Sequence, residues 1–213
     1  MKELAGAKMR LADVLDRDER AELALAMLTD VIGACIESGC FEIVSVISGD
    51  SDVHWHAREL GAKPLAEPRT LSGLNEGLTF GQRYLGRRIA ASELVILPAD
   101  IPLARADDVR AVVEALGEKG GRVAIVRARD NGTNALALRP PEAIPMRFGR
   151  DSASAHVAAA EEAGVEVVEL DLERLRFDVD APEDVEAMTS MAVGAATRGW
   201  IDARAHAAAR RGD

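Results

Sequence analysis

The chain has 213 residues, of which 48% are hydrophobic and only 3% aromatic, and its formal net charge is -10. That length supports one sizeable core without demanding a second domain, and Ala, Leu, Val and Ile must build it, as suits helices packed on a sheet. The acidic balance argues against nucleic-acid binding through an overall field, and a charged start with no long apolar run leads us to expect a cytoplasmic protein away from membranes.

From Arg20 to Ile36 apolar residues recur at helical spacing, and Gly39 follows as a stop. Cys35 and Cys40 lack the spacing of a zinc or redox site and read as reduced packing residues. The β-branched stretch EIVSVIS at 42–48 predicts a strand, Asp50 to Leu60 a helix, and KPLAEP an extended piece. A loop at 70–73 leads to a helix from Asn75 to Arg88, a strand at 93–97 and a helix from Ala106 to Leu116. Gly120-Gly121 turns into the strand RVAIVRA, and Asp130-Asn131-Gly132 favours a tight reversal before a strand at Asn134 to Leu138. Beyond PPEAIP come a helix at 152–162, the strand VEVVELD, and a helix opened by Pro182 that runs to Met191. The Ala-rich end, 192–213, reads as a last helix or tail with the capacity to pack against a second subunit. Alternating strands and helices without a composition break predict one α/β domain over 1–213.

Ligands of such sheets bind beyond the carboxyl ends of the strands. Asp100 stands there in LVILPADIPL, and its plain reading is a helix cap. FDVD offers a second acidic segment, in which Asp178 and Asp180, two apart, face one side of an extended chain. Three carboxylates at two strand ends suit a hard cation such as Mg²⁺. Lys2, Lys8 and Arg10 supply the opposite charge, either for a triphosphate or as a solvated basic turn. There is no P-loop and no dinucleotide fingerprint. Thr133, Gly149 and Ser152 surround the start of a helix whose free N–H groups suit a phosphate or carboxylate, with N-capping by Asp151 or Ser152 as the plainer alternative. His54, His56 and His156 receive no catalytic role.

Together the stretches AGAKMRLADVL, ERAELALAMLTDV, GLNEGL, LVILPADIPL, NGTNALALRPP, IPMRFGRDS and FDVDAPEDV resemble, in order, the 2-phospho-L-lactate or phosphoenolpyruvate guanylyltransferases of deazaflavin (F-420) coenzyme biosynthesis. The resemblance implies a Rossmann-like three-layer α/β/α nucleotidyltransferase fold, related to GT-A glycosyltransferases, with a mostly parallel sheet. It implies transfer of GMP from GTP to phosphoenolpyruvate, 2-phospho-L-lactate or 3-phospho-D-glycerate, release of pyrophosphate, and a downstream transferase that uses the product. Asp100, Asp178 and Asp180 match the family's Mg²⁺-binding and catalytic carboxylates, and Thr133, Gly149 and Ser152 its acceptor site. Lys2, Lys8 and Arg10 match its basic GTP segment, and Asn75 lies in the loop expected near the nucleoside.

Family members open with an apolar strand before the residue that matches Lys2, whereas this sequence starts at Met1, so the first strand of the sheet is expected to be missing. The residues leave two other readings open. One is a non-catalytic phosphometabolite-binding protein that has lost GTP binding. The other is a nucleotidyltransferase for a sugar phosphate or the molybdenum cofactor precursor.

Overall fold

The computed structural model describes residues 4–6, 8–71 and 73–211. The first long helix, α1 (Arg17–Ser38), starts three residues before the apolar periodicity does. Asp16 accepts the N–H groups of Asp18 and Glu19 while the Glu19 carboxylate takes the Asp16 N–H, a reciprocal cap, and Gly39 ends the helix at a φ of 69°. There follow β1 (Ser45–Ser48), α2 (Ser51–Glu59), β2 (Lys63–Ala66), α3 (Leu74–Arg88), β3 (Leu94–Ile96) and α4 (Ala106–Glu114). The second half contributes β4 (Arg122–Arg127), β5 (Thr133–Arg139), α5 (Ser152–Ala163), β6 (Glu166–Glu169), α6 (Pro182–Met188) and α7 (Ala195–Arg211).

Four strands form one sheet in the order β3-β5-β4-β6. β4 and β6 are parallel and β5 is antiparallel to both β3 and β4, so β5 alone runs against the rest of that sheet. This reversal follows from the short Asp130-Asn131-Gly132 connection, which is too brief for the crossover a parallel neighbour would need. Asn131 there has a φ of 69°, and the Gly132 N–H bonds the Asp130 carboxylate at 2.8 Å. β1 and β2 form a separate parallel pair. Among the described residues no strand joins β1 to β3.

Helices cover both faces. Ala124, Val126, Ala135 and Ala137 pack against Val31 and Cys35 of α1 and Val109 and Val112 of α4, while Val123, Ile125, Leu136 and Leu138 pack against Ala153, Ala159 and Ala160 of α5. Small side chains on the first face let α1 and α4 approach the strands closely. The two cysteines are free, Cys35 buried and Cys40 exposed. Among the described residues no helix is long and apolar enough to cross a membrane.

The C-terminal segment is a docked helix rather than a tail. Both carboxylate oxygens of Asp30, halfway along α1, accept N–H groups of the first turn of α7, from Ala196 and Thr197, at 2.9 Å each. Trp200 and Ile201 pack against a core that contains Leu11, Leu23, Met27, Phe177 and Val179.

Candidate active site

β3 delivers Asp100 through Leu97-Pro98-Ala99, and one backbone bond brings the second acidic segment beside it: the Val179 N–H donates to the Asp100 carbonyl at 3.0 Å. Around that bond Phe177 and Val179 are buried while Asp178 and Asp180 are partly exposed, so the two carboxylates share the open side of an extended segment. Asp184 fixes the turn that follows. One of its oxygens accepts the N–H groups of Asp180 and Ala181 at 2.9 and 2.8 Å, and the other meets the Arg129 guanidinium at 2.7 Å. Desolvation pushes the Asp184 carboxyl up, but these donors outweigh it and hold it below the ordinary range. Arg129 also bonds the Asp178 carbonyl and lies 4.4 Å from the centroid of the Phe177 ring. Neither Arg129 nor Asp184 stands out in the sequence, because each acts by bonding the backbone of the acidic segment, Arg129 from 49 residues away and Asp184 within its own turn.

Lys8 enters this cluster from a left-handed backbone position, φ 49°. Its ammonium bonds the Asp100 carboxylate and, at 2.9 Å, that of Asp180. Burial opposes the Lys8 charge, yet the two carboxylates outweigh it and push its pKa up. Arg10 is exposed, with a guanidinium nitrogen 3.5 Å from Asp180. The Asp178 carboxyl is also shifted up: desolvation raises it, as do the neighbouring charges of Asp100 and Asp180, against a 3.3 Å bond from the Asn134 amide. An open cleft of about 300 Å³ is lined by Arg10, Arg129, Asp130, Asp178, Asp180 and Asp184. Among the described residues no three carboxylate, histidine or cysteine side chains are grouped as a ready metal cage. Asp100 and Asp180 do converge on one cationic atom, the Lys8 Nζ, and carboxylate oxygens that share a cation in this way fit a hard divalent ion. Lys2 lies outside the described residues.

A β-bulge links this cluster to the other half of the site. Val126 pairs with Ala135 but Arg127 pairs with Thr133, so Asn134 is an extra residue in β5. Strict alternation would place Thr133 on the face of Ala135 and Ala137, against α1 and α4. The bulge instead turns Thr133 towards α5, where its hydroxyl is 2.9 Å from that of Ser152 and 3.0 Å from His156 Nδ1, and sends Asn134 to Asp178.

The start of α5 differs from the bare helix end that the sequence suggests. The Ser152 N–H bonds the Gly149 carbonyl and the Ala153 N–H the Asn131 carbonyl, at 3.2 Å each, and the side chain of Asp151 does not cap. The first two helix donors are thus engaged within the protein, and the Thr133 and Ser152 hydroxyls are the polar groups to consider. Gly149 has a φ of 137°, a conformation closed to other residues without strain. Asn75 of α3 clamps the loop just before it, donating to the Phe148 carbonyl at 2.8 Å and accepting its N–H at 2.7 Å. A larger open hollow of about 850 Å³ runs along α3, past Phe80, Arg83 and Tyr84, and shares no lining residue with the carboxylate cleft.

Residues 1–202 match the family described as guanylyl transferase, CofC-like. The chain belongs to the CofC-like guanylyl transferases. It is 42% identical over 195 residues to the phosphoenolpyruvate guanylyltransferase of Sphaerobacter thermophilus, covering 91% of this chain and 92% of that one. It is also 42% identical over 187 residues to the enzyme of the same name from Rubrobacter xylanophilus, covering 87% and 88%. Among solved structures, a Desulfovibrio desulfuricans G20 protein described as a nucleotide-diphospho-sugar transferase superposes with a TM-score of 0.71 at 19% identity, covering 95% of this chain and 94% of that one. The CMP:2-keto-3-deoxy-manno-octonic acid synthetase complexed with CTP gives 0.54 at 13% identity, with 76% and 85% covered. These superpositions bear out the Rossmann-like nucleotidyltransferase fold. The chain is therefore an enzyme of the guanylyltransferase class, and in this CofC-like member the carboxylate cleft and the Thr133–Ser152 pair lie on either side of one bulge.

Proposed function

We propose that this enzyme transfers GMP from GTP to phosphoenolpyruvate and releases pyrophosphate, with the carboxylate cleft as its GTP half and Thr133, Gly149 and Ser152 as its acceptor half. The observation that carries the reading is the bulge: the consecutive residues Thr133 and Asn134 reach the acceptor hydroxyl of Ser152 and the carboxylate Asp178. Two substrates bound at these places meet across two residues of one strand.

In this reading a phosphate oxygen of the acceptor forms a bond to the α-phosphorus of GTP as the bond from that phosphorus to the bridging oxygen of the β-phosphate breaks, and the electron pair leaves with pyrophosphate. The acceptor phosphate is ionised at neutral pH, so no side chain has to remove a proton. Lys8 and Arg10 offset charge on the leaving pyrophosphate, as Lys2 does in the family reading. Asp100, Asp178 and Asp180 would hold Mg²⁺, which would neutralise triphosphate charge as a Lewis acid. The Lys8 ammonium, which the structure pairs with Asp100 and Asp180, would be free to meet phosphate oxygens. Asn75 keeps the Phe148–Gly149 backbone placed for the acceptor and stands near the nucleoside. The GMP-activated product would pass to a downstream transferase in cytoplasmic deazaflavin (F-420) coenzyme biosynthesis.

The test is pyrophosphate release from GTP and Mg²⁺ with phosphoenolpyruvate, 2-phospho-L-lactate or 3-phospho-D-glycerate in turn. Release that is fastest with phosphoenolpyruvate supports the assignment, and preference for another acid reassigns the acceptor. A folded sample that releases none with all three sinks the reading.

A further inference from the structure

His156 lies one turn into α5 and is fully buried, yet the acceptor chemistry above makes no use of it. Its two ring nitrogens have different partners. The Arg147 backbone N–H points at Nε2 at 3.0 Å, and an N–H can only donate, so Nε2 must present a lone pair. In a neutral ring the proton then sits on Nδ1, which faces the Thr133 hydroxyl at 3.0 Å. Burial, with a smaller contribution from the Arg147 charge, pushes the His156 pKa down to about 4, so the ring stays neutral at physiological pH. Phe148 packs edge-on against the imidazole, 4.8 Å between centroids, and holds its plane.

The tautomer settles what the two hydroxyls can offer. Thr133 and Ser152 bring two hydroxyl hydrogens, and their mutual bond uses one. If Nδ1 were an acceptor, the second hydrogen would turn inward to the ring and the pair would show only lone pairs to an anion. With Nδ1–H donating to Thr133, neither hydroxyl hydrogen is drawn to the ring: one closes the Thr133–Ser152 bond and the other remains for the ligand.

We propose that His156 is the positioning residue of the acceptor half-site, fixing the hydrogen-bond direction Arg147 N–H to His156 to Thr133 so that the buried Thr133–Ser152 hydroxyl pair keeps a hydrogen to donate to the acceptor's phosphate or carboxylate. The inference rests on the proposed function, since it gives that half-site its polarity. It extends the reading to a residue that touches no substrate. It supplies a donor for an anion at a helix start whose first two N–H groups are already engaged.

Two measurements test it. The histidine ¹⁵N spectrum of the wild-type protein should show the His156 ring protonated at Nδ1 and bare at Nε2. The opposite tautomer overturns the proposal whatever the activity. In kinetics, His156→Phe keeps an aromatic ring in the core but no donor to orient Thr133, and it should raise KM for phosphoenolpyruvate by about 3- to 10-fold, the worth of one ordinary hydrogen bond, while KM for GTP changes less than about twofold. His156→Asn places an amide N–H near the Nδ1 position and should recover much of that loss, whereas His156→Gln, whose amide extends towards Arg147, should not. Equal effects on both substrates, or Asn behaving as Phe does, would mark His156 as packing alone. Wild-type turnover is measured first. Its absence with every acceptor counts against the substrate reading, and the inference is then decided by the tautomer and by calorimetric binding of phosphoenolpyruvate to the same variants.

Discussion

The carboxylates of the cleft stand close enough to oppose one another, and that tension makes Asp100 a discriminating position to change. It shares the Lys8 ammonium with Asp180, and its charge contributes to raising Asp178. Asp100→Asn removes one negative charge with little change of volume. Turnover should fall about 100-fold or more if Asp100 holds the cation that neutralises the triphosphate. The urea midpoint should change little, because the amide can still accept from Lys8. A variant that turns over normally removes the metal role from Asp100. His156 gives a second test at this scale, through pH. Its folded-state pKa of about 4 lies below the unfolded value near 6.5, so its contribution is complete above roughly pH 6.5 and is lost as pH falls towards 4. Protonating the buried ring costs about 3 kcal/mol over that window. Wild-type urea midpoints should fall between about pH 7 and 5 more steeply than those of His156→Phe, in which Asp178 and the other carboxylates are unchanged. Parallel profiles would show that the ring is not held neutral.

Among the elements, those stabilised locally were legible and those that depend on distant partners were not. The helices α1 to α5 announce themselves by apolar spacing and by their stops, and the Asn131-Gly132 turn announces the β4–β5 reversal. The early start of α1 was also there to read, as Asp16 three residues before Glu19, but apolar periodicity alone begins later. The bulge at Asn134 leaves no such trace. It follows from α5 holding Thr133 on one side while Asp178 takes Asn134 on the other, and both partners are far along the chain. The carboxylates Asp100, Asp178 and Asp180 could be nominated from strand ends and from an i, i+2 spacing. Arg129 and Asp184 could not, because what they do is bond the backbone at 178, 180 and 181. Asp184 illustrates the consequence. Asp184→Ala leaves the Asp180 and Ala181 N–H groups and the Arg129 guanidinium without that acceptor, at a cost of about 1–2 kcal/mol. The urea midpoint should drop with an unchanged slope, and activity should drop further than stability does, since Asp180 sits in the loosened turn. Unchanged activity in a destabilised variant would separate that turn from catalysis.

Over the whole molecule, the C-terminal helix reads in the sequence as an Ala-rich appendage, yet its contacts connect it to the cleft. The segment leading into α7 holds the loop after Asp100: the Gly194 N–H donates to the Pro102 carbonyl at 2.8 Å, and the Arg105 guanidinium donates to the carbonyls of Ala192 and Val193. Trp200 and Ile201 pack on the cluster that contains Phe177 and Val179, the buried partners of Asp178 and Asp180. Both carboxylate segments therefore lean on α7, and Gly194 is where that support can be disturbed with one methyl group. A Cβ at Gly194 would lie 2.0 Å from the Asp30 carboxyl carbon, so Asp30 must swing away and release the Ala196 and Thr197 N–H groups that it caps. Losing the cap costs about 1–2 kcal/mol. Gly194→Ala should expose α7 to limited proteolysis, shift Trp200 fluorescence towards that of an exposed indole, and lower turnover although position 194 is not among the residues that line the carboxylate cleft. Thr197→Val is the control within the same turn. The Thr197 hydroxyl is buried without a hydrogen-bond partner among the described residues, so this nearly isosteric change should leave α7 docked and raise stability slightly, by about 1 kcal/mol. If Gly194→Ala loosens α7 and turnover stays at the wild-type level, the cleft does not depend on the helix, and α7 serves stability alone.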